Sequence, residues 1–152
     1  MYWWINSSDK EEILKSARFS LDKIRKSIEQ ICKEIYKNNK EFWLYHWKFS
    51  FGIQEFVESL SFYHYLKEKK LITKEEIEKE LLFDIDGEKV QWFLSLDDYL
   101  LGIGDLSGEL MRFATNAVTN SDRETPFEIM DFLQQLYRAF QILPRKAHKD
   151  MD

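Results

Sequence analysis

The chain has 152 residues, of which 44% are hydrophobic and 16% aromatic, with only two prolines and five glycines. This length fits one domain with a buried core, and the apolar content excludes an intrinsically disordered chain. The formal net charge of −5 argues against a protein that coats nucleic acid by charge alone.

Two long helices are predicted in the first half of the chain. The first begins at Ser8 or Asp9 and ends at Asn38-Asn39, because apolar residues repeat between them at three- and four-residue steps. The second runs from about residue 41 to residue 69. It is apolar on almost every side, so we expect it to be central, with Trp and Phe residues such as Trp47 and Phe51 in the core.

Three further helices complete an all-α, antiparallel bundle of about five helices. Thr73 and Glu76 form a capping box that starts the short third helix. Asp86-Gly87 then predicts either a small hairpin or a loop. The fourth helix is predicted from about residue 95 to residue 120, and the fifth begins at Thr125-Pro126 and stops before Pro144.

One domain over residues 1–152 is expected, with a polar tail that frays from about residue 144. The single cysteine, Cys32, permits no disulfide within the chain, which fits a reducing compartment. The sequence contains neither a secretory signal nor a stretch apolar enough to span a bilayer, so no membrane contact is expected. The predicted localisation is cytoplasmic.

Two isolated pairs of acidic residues are the main candidates for a functional site. Glu55 and Glu58 are the only acids between residues 49 and 66, a stretch without Lys or Arg. Asp105 and Glu109 are the only charged residues between residues 99 and 111. Helical spacing points each pair in one direction. If these carboxylates are buried together, a bound cation is the natural way to offset their charge. Four oxygen donors suit Mg²⁺ or Mn²⁺, and such metals suit phosphoryl chemistry.

A plainer interpretation competes about evenly with this one. The acids could form solvated stripes, or pair with Lys or Arg from another helix. Gly102, Gly104 and Gly108 favour a close approach to that helix, because each Gly costs about 1 kcal/mol there. Either helix packing or a substrate backbone explains such an approach.

Other residues give weaker signals. His46 and Lys48 precede the first acid pair and could contact phosphate, whereas His64 is more typical of core or surface. The basic residues of the first helix are expected to form a solvated face: Lys15, Arg18, Arg25, Lys26 and Lys33.

At the two acidic segments the sequence resembles the translin/Trax family. The segments QEFVE, DYLLG and GELMR and the TPFE-type element carry the resemblance. The sequence as a whole is similar to the family from about Glu11 to Leu143. It implies an all-α bundle that assembles into oligomers and binds RNA or single-stranded DNA. QEFVE and the Asp of DLSGE are absent from translin itself, so the likeness is to the Trax-like catalytic branch, a Mg²⁺-dependent endoribonuclease.

The resemblance also assigns residues. Glu55, Glu58, Asp105 and Glu109 match the family's catalytic and metal-binding acids, and Arg112 matches the Arg of GELMR. His46 falls near a nucleic-acid-contacting His, beside Lys48. The long outer helices at both ends of family members are expected to be missing in this compact form. A homo-oligomer smaller than the family's octamer, or assembly with a translin-family partner chain, is therefore expected.

The leading hypothesis is a metal-dependent endoribonuclease in which Glu58 orients the attacking water. One alternative is a non-catalytic RNA- or single-stranded-DNA-binding protein. Another is an all-α, Mg²⁺-dependent nucleoside triphosphate pyrophosphohydrolase, although its paired acids have a different spacing.

Overall fold

The computed structural model describes residues 7–37 and 46–143, with side chains from residue 11 in the first range and from residue 47 in the second. The chain divides into two compact units, whose described residues run from 7 to 106 and from 107 to 143. None of the described helices is long and apolar enough to cross a membrane. The predicted tail after residue 143 lies outside the described residues.

Helix α1, Ser7–Lys37, has the bounds predicted from its periodicity to within two residues. Its buried side chains follow three- and four-residue steps, so they form one stripe along the helix. They are Leu21, Ile28, Cys32 and Ile35.

A short 3₁₀ helix, His46–Phe49, leads directly into α2, Ser50–Glu68. The predicted second helix ends within one residue of α2, but residues 46–49 form a 3₁₀ helix instead of an α-helix, and residues 41–45 lie outside the described ranges. Its core side is made by Ile53, Phe56, Val57, Leu60 and Tyr65, all at most 3% exposed. The helix is not buried all round, however, because Phe51 on its other side is 72% exposed.

Helix α3, Lys74–Glu80, begins with the predicted capping box: the Thr73 hydroxyl accepts from the Glu76 N–H, and the Glu76 carboxylate accepts from the Thr73 N–H. The hydrogen bond from the Thr73 backbone lowers the pKa of Glu76. Strands β1, Leu82–Ile85, and β2, Glu88–Gln91, pair antiparallel around Asp86-Gly87. Both turn residues have positive φ, 53° and 89°, as a tight two-residue hairpin requires. The sequence predicts either a hairpin or a loop at Asp86-Gly87, and the structure forms the hairpin.

Two arginines fasten α1 to the end of α3. Arg18 donates to both carboxylate oxygens of Glu80, at 3.0 and 2.8 Å. Arg25 donates to the backbone oxygens of Glu80, at 2.6 Å, and Leu82, at 3.0 Å. The bond to the Glu80 backbone oxygen satisfies a carbonyl that the end of α3 leaves without a helical partner. The prediction of a purely solvated basic face is wrong at these two positions.

Helix α4, Leu96–Thr119, starts in the larger unit and continues into the smaller one. Helix α5, Thr125–Ile142, follows after a short turn and has Pro126 in its first turn, where a missing N–H costs nothing. In the described part of the chain, five α-helices and one two-stranded hairpin are present. The all-α prediction is confirmed.

Candidate functional site

Helices α2 and α4 touch through their backbones at Gly102. A Cβ atom at Gly102 would lie 2.7 Å from Cβ of Val57 and 2.8 Å from the Gln54 carbonyl oxygen. Only glycine permits this approach, so helix packing explains Gly102. In contrast, a Cβ added at Gly104 or Gly108 would meet nothing within 4 Å.

A buried carboxylate fixes the same two helices one turn earlier. Asp98 is only 5% exposed. Its Oδ1 accepts from the Ser50 hydroxyl and, at 2.8 Å, from Nε2 of Gln54. Its Oδ2 accepts from the Ser95 hydroxyl at 2.7 Å, and that hydroxyl accepts from the Asp98 N–H at 2.9 Å. The buried carboxyl group is thus held by neutral donors from α2 and from Ser95, just before α4.

Glu58 and Asp105 lie beside this line of contact. Glu58 follows Val57 directly, and Asp105 is three residues after Gly102. With 3.6 residues per turn, Glu58 is turned about 70° from the side of α2 that meets α4, and Asp105 about 40° from the side of α4 that meets α2. Both carboxylates therefore border the α2–α4 contact in the larger unit.

Glu55 is turned further away, about 130° from the α4-facing side. Glu55 and Asp105 are exposed, and Glu58 is half-buried. The condition that all four acids are buried together is not met, because Glu55 and Asp105 can be solvated directly. Desolvation alone does not require a cation at these positions.

Glu109 follows Asp105 by one turn of α4 but belongs to the smaller unit. Its carboxylate accepts from Nε of Arg112 at 3.0 Å and forms an ion pair with the same guanidinium. Arg112, which directly follows the run from residue 99 to residue 111, therefore neutralises Glu109. Arg112 itself is exposed.

Carboxylate oxygens are suitable donors for a hard divalent ion. The described residues, however, do not surround a single point with enough such donors to complete a coordination shell. No group of three or more His, Cys, Asp and Glu side chains that could hold a metal ion occurs among residues 11–37 and 47–143. Mg²⁺ is commonly held by one or two carboxylates, with waters and substrate phosphates completing its shell. Glu58 and Asp105, from two helices in direct contact, are the pair that suits such a shell.

The predicted nucleic-acid-contacting residues lie where the 3₁₀ helix enters α2. His46 begins that 3₁₀ helix, and its side chain is outside the described part. Lys48 is exposed, and its ammonium lies 5.7 Å from the centre of the Trp47 ring. Trp47 is itself 64% exposed. The prediction of core positions for Trp47 and Phe51 is wrong.

Sequence reasoning missed the Asp98 cluster. A signal for part of it was present, since Ser95 and Asp98 have the spacing of a helix cap. The partners on α2, Ser50 and Gln54, gave no signal, because nothing in the sequence aligns residue 98 with residues 50 and 54.

The sequence is similar to known proteins of one family. The sequence model of the Translin family matches residues 4–152. Translin-associated protein X from Mus musculus is 37% identical over 155 residues, covering 91% of this chain and 53% of that protein. Translin from Gallus gallus is 36% identical over 101 residues, covering 66% of this chain and 43% of that protein. Translin from Homo sapiens is 32% identical over 107 residues, covering 70% of this chain and 46% of that protein.

The chain spans about half the length of the Translin-associated protein X sequences it matches. The similarity to them covers more of this chain than the similarity to translin does, at 91% against 66% and 70%. The predicted likeness to the Trax-like branch is thereby confirmed.

Proposed function

Because this chain belongs to the Translin family, we propose that it binds RNA and cuts RNA phosphodiester bonds as a Trax-like, divalent-metal-dependent endoribonuclease. Membership in the family supports nucleic-acid binding. The cleavage proposal rests on the resemblance of QEFVE and DLSGE to the acidic segments of the catalytic branch.

One structural observation carries the cleavage proposal. The backbone contact between Gly102 and α2 brings the helix with Asp105 against the helix with Glu58. A residue pair that is far apart in sequence thus borders one contact line. Two carboxylates at such a line suit a Mg²⁺ or Mn²⁺ ion that phosphate oxygens and waters complete. When bound, this ion would supply charge stabilisation at the phosphate and a more acidic water.

The protein's own groups divide the remaining work. Glu58 is the proposed general base, which orients the attacking water and takes its proton. Glu55, on the exposed face of α2, and Glu109 complete the proposed acidic set. Lys48 and His46 are proposed to hold the RNA backbone without reading bases. Arg112 has two proposed tasks, to fix the Glu109 carboxylate and to contact phosphate.

Assembly with other chains is part of the proposal. Relatives of this chain carry the printed names Translin and Translin-associated protein X. We therefore expect either a homo-oligomer or a complex with a translin-family chain, and the exposed acids would then line a surface shared between subunits. The same complex is a candidate for binding single-stranded DNA.

Cleavage of a labelled single-stranded RNA tests the function, with the chain alone and mixed with a translin-family protein. We expect turnover with Mg²⁺ or Mn²⁺, and none with excess EDTA. Glu58→Gln and Asp105→Asn should each lower the rate at least 100-fold, because a general base or a metal ligand contributes on that order. Both substitutions keep the side-chain shape and remove the charge.

Two matched controls come from the same helices. Glu68→Gln on α2 and Asp97→Asn on α4 change exposed acids away from the contact line and should cleave normally. Cleavage that persists in both Glu58→Gln and Asp105→Asn, or in EDTA, contradicts the metal-site proposal. RNA binding without turnover under any divalent metal would instead favour the non-catalytic alternative.

A further inference from the structure

Two large aromatic side chains stand in solvent beside the first acid pair. Phe51 is 72% exposed and Trp47 is 64% exposed. Single exposed apolar residues are common on proteins, so the chemistry of the groups beside these two rings has to identify what they bind. Lys48 directly follows Trp47, and Glu55 follows Phe51 by four residues, about one turn of α2.

The local fold holds these two rings outward. Between them in sequence, Phe49 turns inward and meets the buried Trp92 edge-on, with ring centres 6.0 Å apart. This contact anchors the junction of the 3₁₀ helix and α2. Trp47 and Phe51, two residues before and two residues after Phe49, are both exposed.

Helical geometry aligns Phe51 with the acids. Glu55 is four residues after Phe51, about 40° around α2 and ~6 Å along it. Glu58 is seven residues after Phe51, only about 20° around the helix and ~10 Å along it. The exposed ring, Glu55 and Glu58 therefore form one stripe on the surface of α2.

We propose that Phe51 and Trp47 form a stacking platform for an unpaired nucleobase of single-stranded RNA next to the acidic stripe. A flat, exposed aromatic ring binds any base through its π face, and this contact tolerates different sequences. Lys48, whose ammonium lies 5.7 Å from the Trp47 ring centre, supplies a positive charge for the adjoining phosphate. The aromatic ring would thus bind the base, and the neighbouring Lys48 would bind the phosphate.

The proposed occupant rests on the proposed function, which places RNA at the acids. It adds a requirement for an unpaired base, because a base inside a duplex cannot stack on a protein ring. Bound in this way, the strand would enter the acidic stripe from the Trp47 end of α2.

Equilibrium binding in excess EDTA tests this without interference from cleavage. The probes are a fluorescent single-stranded RNA, the same RNA as a duplex, and a single-stranded RNA with abasic sites. Phe51→Ala should weaken binding of the single strand roughly 5- to 150-fold, the range for loss of one base–aromatic stack. Duplex and abasic binding should change little. Phe51→Trp should keep the affinity for the single strand, and Phe51→Leu should lose it.

The control is Phe127→Ala, which removes another exposed ring, 66% exposed, from α5 in the smaller unit. It should bind all probes as the unchanged chain does. Equal affinity of Phe51→Ala and the unchanged chain would overturn the platform and leave the nuclease proposal standing. Full affinity in Phe51→Leu would indicate a merely apolar contact and overturn it as well.

Two other outcomes separate the proposals. If the Phe51 series behaves as expected but no metal supports cleavage, the platform stands and the nuclease proposal fails. If Phe51→Ala loses self-association, measured by native mass spectrometry, while its RNA affinity is unchanged, the face is an interface between copies and the platform is overturned. Absence of RNA binding by the unchanged chain, alone and with a translin-family protein, overturns both.

Discussion

Gly102 and Gly108 look alike in the sequence, yet the fold uses them differently. Gly102 is buried and in contact with Val57, whereas Gly108 is exposed and has open space where a Cβ would be. The first glycine therefore lets two helices meet, and the second only weakens α4.

Alanine at these two positions should have opposite effects on stability. Gly102→Ala should lower the free energy of unfolding by about 1–3 kcal/mol, because the new Cβ collides with the Val57 side chain and the Gln54 carbonyl. Gly108→Ala should raise it by about 0.5–1 kcal/mol, the gain of alanine over glycine in a helix. Urea denaturation followed by circular dichroism measures both. A Gly102→Ala protein as stable as the parent would disprove the close contact.

At the scale of elements, two polar clusters join helices. The hydrophobic pattern alone does not determine the register in which these helices pack. Arg18 and Arg25 connect α1 to the end of α3 through Glu80. Asp98 connects α4 to α2 through Ser50 and Gln54. Hydrogen bonds have fixed partners, so they select one register among several with similar apolar burial.

Asp98→Ala should destabilise the chain by roughly 2–4 kcal/mol, since it leaves the Ser50, Gln54 and Ser95 donors without their acceptor. Asp97→Ala, at the exposed neighbouring position, should cost less than about 1 kcal/mol. A double-mutant cycle of Asp98→Ala with Gln54→Ala should give a coupling energy of about 1–3 kcal/mol. Additive effects in that cycle would mean that this bond does not hold the helices in register.

At the scale of the whole molecule, charge limits how the chain can hold nucleic acid. Its net charge is −5, and several cations are already engaged by carboxylates, among them Arg18 with Glu80 and Arg112 with Glu109. In the described part of the chain, Lys48 and Arg112 are the two cations proposed to contact phosphate. Stacking and metal contacts are expected to supply a larger share of RNA affinity than charge neutralisation.

The salt dependence of RNA binding tests this expectation. With about two phosphates neutralised, the slope of log affinity against log salt should be near −1.4 for a single strand. Raising monovalent salt from 50 to 200 mM should then weaken binding by less than about 10-fold. Fluorescence anisotropy over a salt series gives the slope. A slope steeper than about −4 would show that a basic surface dominates, contrary to this account.

Most helix positions follow from local sequence patterns alone. Periodicity, the Thr73 capping box and Thr125-Pro126 predict the bounds of α1 and the starts of α3 and α5 to within about two residues. The start of α2 is an exception, because residues 46–49 form a 3₁₀ helix. These features are local, because a helix is defined by neighbours three and four residues apart. The same locality found Glu55 with Glu58 and Asp105 with Glu109, which are one turn apart.

Which residues face one another and which face solvent depends on how the helices pack. Residues 98 and 54 meet because α2 and α4 pack at Gly102, and no spacing in the sequence encodes that distance. The sequence pattern predicts core positions for Trp47 and Phe51, but both are exposed, whereas Phe49 between them meets the buried Trp92. Burial is a property of the packed chain, so the sequence could identify the acids but not their degree of solvation or the aromatic rings beside them.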